Sequence, residues 1–173
     1  MAANDPAEDA RFLRRWLRRR HPRLRKKGSI VLLPKQAECF GGKLLLSLPE
    51  DFRVQTQRKG KIGFAGTESG LCLNVMELPF KRPLHSIAPV DLLLAFGFLG
   101  IPDIPQKLPF LSRGFLRHSP TLLAEWVFGN EKTALYLIQV QQTVFLLFFP
   151  AMTPELDPLA DAIIFATSVN IPC

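Results

Sequence analysis

Cysteine is scarce in this chain: Cys39, Cys72 and Cys173 are the three in 173 residues. Their odd number and wide spacing exclude a disulfide framework and fit a reducing compartment. Histidine is as scarce, at His21, His85 and His118. No two of these Cys or His residues have the spacing of zinc ligands, so neither a metal nor a cofactor is expected. Long apolar runs are missing too. Residues 90–101 and 144–149 are the best candidates, and both fall short of the roughly 18 residues that a membrane-spanning helix needs. No secretory signal is expected, because the N-terminal arginine cluster has no apolar core of about 7 to 15 residues after it. Arg14-Arg15 does not open a twin-arginine signal either, since arginines continue through Arg20 where the apolar region should begin. The expected compartment is the cytoplasm. Finally, one Tyr and two Trp beside 14 Phe point to aromatic packing in an interior, not to a polar aromatic binding face.

What is present is a chain that is 47% hydrophobic, enough to bury a core. Its net charge of +7 is unevenly placed. Residues 1–28 carry ten basic side chains against Asp5, Glu8 and Asp9, while residues 29–173 carry twelve of each sign. The organisation expected is therefore a basic segment over residues 1–28 followed by one domain over 29–173. Asp5-Pro6-Ala7-Glu8 supplies a cap, a proline at the first helical position and an acid three residues after the cap. A helix is predicted from Pro6 to about Arg20, stopped by His21-Pro22. Phe12, Leu13, Trp16 and Leu17 share one arc of it, and Arg11, Arg14, Arg15, Arg18, Arg19 and Arg20 fill the rest, a basic amphipathic helix.

Beyond Gly28 the period shortens. Residues 29–33, 43–48, 54–57, 62–65 and 71–78 read as strands, with a turn at 67–70. A second helix opens at Pro89 and stops at Gly100. Leu92, Leu93, Leu94, Phe96, Phe98 and Leu99 leave it apolar nearly all round, which predicts burial on most sides. Residues 101–110 read as a proline-broken apolar loop. Residues 121–128 and 133–140 form a hairpin about Gly129-Asn130, and 143–149 completes a meander. A last helix is predicted with Thr153 as cap and Pro154 at its first position. With no long parallel crossover, the fold class expected is α+β: an antiparallel sheet with helices packed on its faces, plus the basic helix.

Catalytic patterns are thin. His85-Ser86 and His118-Ser119 are neighbours in sequence beside turns, where serine is common. Cys72 with His85, or Cys39 with His118, could form a nucleophile pair only through the fold, and Cys72 within an apolar strand reads as a core residue. Residues 60–66 hold glycines and a lysine but lack the Gly-Lys-Ser/Thr ending of a phosphate loop and sit between strands, so Gly60 reads as a strand breaker. Glu50-Asp51 reads as a pair of solvated turn acids. No catalytic residue is assigned.

The stretch Leu46-Ser47-Leu48-Pro49-Glu50-Asp51-Phe52 resembles the strand, proline, acid and aromatic opening of the PsbP and DcrB-like superfamily. Gly70-Leu71-Cys72-Leu73-Asn74-Val75 resembles the next strand of those proteins. A strand over 145–149 followed by a helix finishing at Ser168-Val169-Asn170-Ile171 resembles their ending. The resemblance covers roughly residues 38–172. It implies an α/β/α sandwich about an antiparallel sheet, without shared catalytic machinery, in proteins that mostly bind other macromolecules. Cytoplasmic members include chaperones that shield apolar helices.

Four readings of the arginine helix stand side by side. Its apolar arc can dock on the domain, leaving the arginines in water. The arginines can meet an acidic protein surface. Trp16 with the cationic face suits an anionic membrane surface. The cluster also suits phosphates of a nucleic acid, although no base-reading motif follows. A second candidate surface is the helix and loop carrying Leu93, Phe96, Phe98, Ile101 and Phe110, read as an apolar lip for a partner helix. The function expected is a non-enzymatic protein-binding module, a chaperone or adaptor for an apolar segment. Peripheral nucleic-acid or membrane binding through the basic helix is the alternative. No small-molecule ligand is implied.

Overall fold

The computed structural model describes residues 35–170, so the basic helix expected over 6–20 and the strand expected over 29–33 lie outside the described residues. The described chain runs through β1 (Lys35–Cys39), β2 (Leu44–Leu48), β3 (Phe52–Arg58), β4 (Lys61–Gly66), β5 (Cys72–Pro79), a 3-10 turn (Leu84–Ser86) and α1 (Pro89–Phe98). It continues through β6 (Phe110–Leu116), β7 (Ser119–Phe128), β8 (Glu131–Val140), β9 (Thr143–Met152), α2 (Asp157–Ala166) and β10 (Ser168–Val169). The class is α+β, and the pairing is antiparallel throughout. The strands divide into two sheets, where the sequence suggested one. A three-stranded sheet has the order β1-β2-β10, and a seven-stranded sheet has the order β3-β4-β5-β9-β8-β7-β6.

Strand alternation explains how the large sheet carries two cores. Successive side chains of a strand point to opposite faces, so an uninterrupted apolar run needs cover on both. Along β9, Phe145, Leu147 and Phe149 enter one core while Val144, Leu146 and Phe148 enter the other. β8 repeats the division with Ala134 and Ile138 against Leu135 and Leu137. The first core is closed by Leu44, Leu46 and Leu48 of β2 and by Ala160 and Ile163 of α2. The second is closed by Leu92 and Phe96 of α1 with Leu84, Ile87 and Ile101 of the flanking segments. The β7–β8 hairpin turns where expected, with Gly129 at φ +63, a conformation that costs glycine little.

Four local expectations are corrected. The last helix begins at Asp157, not Pro154. A helix started at Pro154 would carry Pro158 in its interior, with no N–H for the carbonyl four residues back and a ring clashing with it. Instead Leu156 N–H closes a separate turn on the Thr153 carbonyl at 3.0 Å, and Pro158 falls at the start of α2. Residues 110–116, of which Phe110 was expected in a loop and 111–116 in no element, form β6 against β7. The chain end read as helix, Ser168-Val169, pairs with β2. Cys72, expected in the core, is the exposed first residue of β5.

Candidate functional site

α1 divides its apolar residues between two sides. At about 100° per residue, positions 90, 94 and 98 fall within about 80° of arc, and Leu92, Phe96 and Leu99 lie across the axis. Leu92 and Phe96 are 2% and 1% exposed, and the Phe96 ring lies 6.1 Å from that of Trp126. Val90, Leu94 and Phe98 are 61%, 60% and 90% exposed, so one helix presents a three-residue apolar stripe to water.

The helix end fixes which residues join which side. Gly100 has φ +77, Ile101 N–H donates to the Phe96 carbonyl at 3.1 Å, and Gly100 N–H to that of Gly97 at 3.0 Å. This turn brings the residue after the glycine back onto the last helical turn, where apolar contact accompanies it. Ile101 is 5% exposed and Phe96 shares its core. Of the expected apolar lip, Phe96 and Ile101 are therefore interior residues and cannot belong to a surface. Leu93 is half-buried, and Phe110 is half-buried at the start of β6, paired with Glu125. Phe98 is the fully presented member. Val90 and Leu94 were missed; their spacing from Phe98, read against Leu92 and Phe96, was the available signal. Arg11, Arg14, Arg15, Trp16, Arg18, Arg19 and Arg20 lie outside the described residues.

Two of the residues weighed for chemistry, His85 and Cys39, are placed against that role. His85 Nε2 lies 3.1 Å from the Thr121 carbonyl, and its ring meets Phe115 edge-on at 4.9 Å. Burial pushes the Cys39 thiol up to about 11, the opposite of what a nucleophile needs. A cluster that the sequence did not suggest joins Glu125 of β7 to Asp157 and Asp161 of α2, whose carboxylate oxygens lie within 4.8 Å of one another. Lys132 of β8 fills it: its Nζ is 2.6 Å from Asp157 Oδ1 and 3.1 Å from Glu125 Oε1. The ammonium occupies the place a cation would take and ties α2 to the sheet. Among the described residues, no helix is long and apolar enough to cross a membrane.

No protein-family model and no curated protein matches the chain. Among solved structures it is similar to the solution structure of cyanobacterial PsbP (CyanoP) from Synechocystis sp. PCC 6803. The TM-score is 0.63 at 10% identity, over 84% of this chain and 98% of that one. It is also similar to a crystal structure from Bacteroides thetaiotaomicron VPI-5482, with a TM-score of 0.50 at 10% identity. That match covers 79% of this chain and 48% of the other, so the chain spans about half the length of that protein. The fold is PsbP-like, and at this identity the likeness concerns the fold alone.

Proposed function

We propose that the protein is a non-enzymatic binding module of the cytoplasm that receives an apolar helical segment of a protein partner along the outer face of α1. The carrying observation is the exposed stripe of Val90, Leu94 and Phe98, with Phe98 at 90% exposure. Spacing of four residues is that of anchors in helix-on-helix recognition, and a buried aromatic is the commonest source of binding energy in such a contact. Residues 87–106 contain two acids, Asp91 and Asp103, and no Lys or Arg, which suits an apolar segment flanked by basic residues. The basic amphipathic helix predicted over residues 6–20 belongs to the proposal as a separate surface for acidic protein.

The test uses the full chain and a synthetic helical peptide with a leucine face and lysine ends. Fluorescence anisotropy should show saturable binding that the double variant Leu94→Asp/Phe98→Asp weakens at least about tenfold, an effect of roughly 1.4 kcal/mol. Its melting temperature should match the parent, because both side chains already lie in water. No binding by the parent, or equal binding by the variant, overturns the reading. Vesicle or RNA binding that survives the α1 substitutions and disappears with residues 1–27 would assign the function to the basic segment instead.

A further inference from the structure

A cleft of about 400 Å³ lies on the far side of the described chain from the tip of the β7–β8 hairpin, where the loop after β5 meets the β6–β7 and β8–β9 turns. Its size falls within the roughly 300–1,000 Å³ of small-molecule sites. Phe80, Pro83, Pro120 and Val140 give it apolar walls. Lys81, Arg82 and His118 line it as well, and among the described residues no acid does. Among the described residues neither Lys81 nor Arg82 forms an ion pair. Residues 78–90 and 104–124 contain no Asp or Glu at all. In a body whose charges balance over residues 29–173, this is a local cationic excess around a concavity.

The wall that carries the cations is held from below. Gln139 is buried, and its Oε1 accepts the Leu84 N–H at 2.7 Å while its Nε2 donates to the Arg82 carbonyl at 2.9 Å. Phe80 N–H donates to the Gln142 carbonyl at 2.7 Å. Arg113 Nη2 donates to the Ile87 carbonyl at 2.7 Å and holds the far end of the same loop. A backbone fixed at both ends presents Lys81 and Arg82 without a backbone ordering cost at the moment of binding, leaving only their side-chain rotamers to be fixed.

We infer that this cleft binds a small amphiphilic anion, a carboxylate or phosphate on an apolar body, with the charge against Lys81, Arg82 and His118 and the body against Phe80, Pro120 and Val140. The site is independent of the α1 stripe. The probes are 1-naphthoate, 1-naphthyl phosphate, 1-naphthol and inorganic phosphate, titrated into full-length protein and followed by residue-resolved NMR. Either naphthyl anion should shift the amides of residues 80–83, 118–120 and 139–142, and which binds tighter identifies the head group as carboxylate or phosphate. Lys81→Gln/Arg82→Gln should weaken that binding about tenfold or more with the melting temperature unchanged. Leu94→Asp/Phe98→Asp should leave it untouched, so this inference and the α1 reading fail separately. Equal binding of 1-naphthol removes the anion from the proposal. Equal binding of inorganic phosphate removes the apolar body, and shifts confined to the arginine-rich segment remove the site.

Discussion

α1 and α2 are both ten residues long, both carry a proline in their first two positions and an acid in their first turn, and each closes one face of the seven-stranded sheet. They are attached by different means. α2 lays Ala160 and Ile163 into the core shared with the three-stranded sheet and is also tied by the Lys132–Asp157 ion pair at 2.6 Å. α1 is held by apolar contact: Leu92 and Phe96 go down toward Trp126, and Val90, Leu94 and Phe98 stay in water. A helix that only rests on its sheet keeps a whole side available for something else, whereas a helix tied by buried charge has been committed to the fold. The difference explains why the candidate docking face belongs to α1.

The largest effects should come from breaking each attachment in turn. Lys132→Met takes away the ammonium shared by Glu125 and Asp157, both largely buried, and removing one partner of a buried pair costs about 3–5 kcal/mol. Urea unfolding of the variant should show a loss of that order; a loss below about 1 kcal/mol would mean that α2 is held by its apolar face, as α1 is. For α1 the contrast lies between two phenylalanines two positions apart. Phe96→Ala should cost about 3–5 kcal/mol through the lost contact and the cavity left beside Trp126. Phe98→Ala should change stability by no more than about 0.5 kcal/mol. Equal losses at the two positions would show that Phe98 packs in solution and that the stripe is not free.

How far these features could be read from the sequence follows from the kind of signal each left. β4, β5, β8 and β9 are nearly continuous apolar runs bounded by Gly, Pro or Asn, and those limits came close to the observed ones. β3, expected over 54–57, runs over Phe52–Arg58 with Phe52 its one buried residue; β6 has none, so an edge strand such as β6 leaves no alternation to find. β10 is two residues long, and its place beside β2 is set by tertiary packing that no local pattern encodes. Which side of α1 faces water was obscured because Leu92-Leu93-Leu94 is apolar on every side; the four-residue spacing of Val90, Leu94 and Phe98 marks out a stripe, and contact of Phe96 with Trp126 fixes which side is buried. The Glu125–Lys132–Asp157–Asp161 cluster joins residues from three elements, and the cleft is lined from three loops, so neither has a spacing to recognise.

Alkaline pH should probe the same asymmetry with a smaller effect. Among the described residues, the two groups that burial raises both sit on the α2 side of the sheet: Cys39 in that core, and Tyr136 packed against it. Burial pushes the Cys39 thiol from 9.0 up to about 11. It pushes the Tyr136 phenol from 10.0 up to about 12, against a smaller opposing effect of its hydrogen bond with the Thr121 side chain. Both groups are neutral when protonated, so above pH 9 the unfolded chain loses its protons while the folded chain still holds them. The unfolded state then binds fewer protons, and stability falls as pH rises. The contribution is complete below pH 9 and is lost as pH passes through about 11 for Cys39. Cys39→Ala should therefore make the decline between pH 9 and 11 shallower without altering its direction, since Tyr136 still titrates. The reporter is Trp126, with Trp16 replaced by phenylalanine so that one indole remains. Trp126 lies in the α1 core, and β5, β8 and β9 send alternate side chains into both cores, so strain placed on one face should be read on the other. If Cys39→Ala leaves the alkaline slope at Trp126 unchanged while thiol labelling of the parent shows Cys39 opening in that range, the two faces unfold separately and the sheet does not couple them.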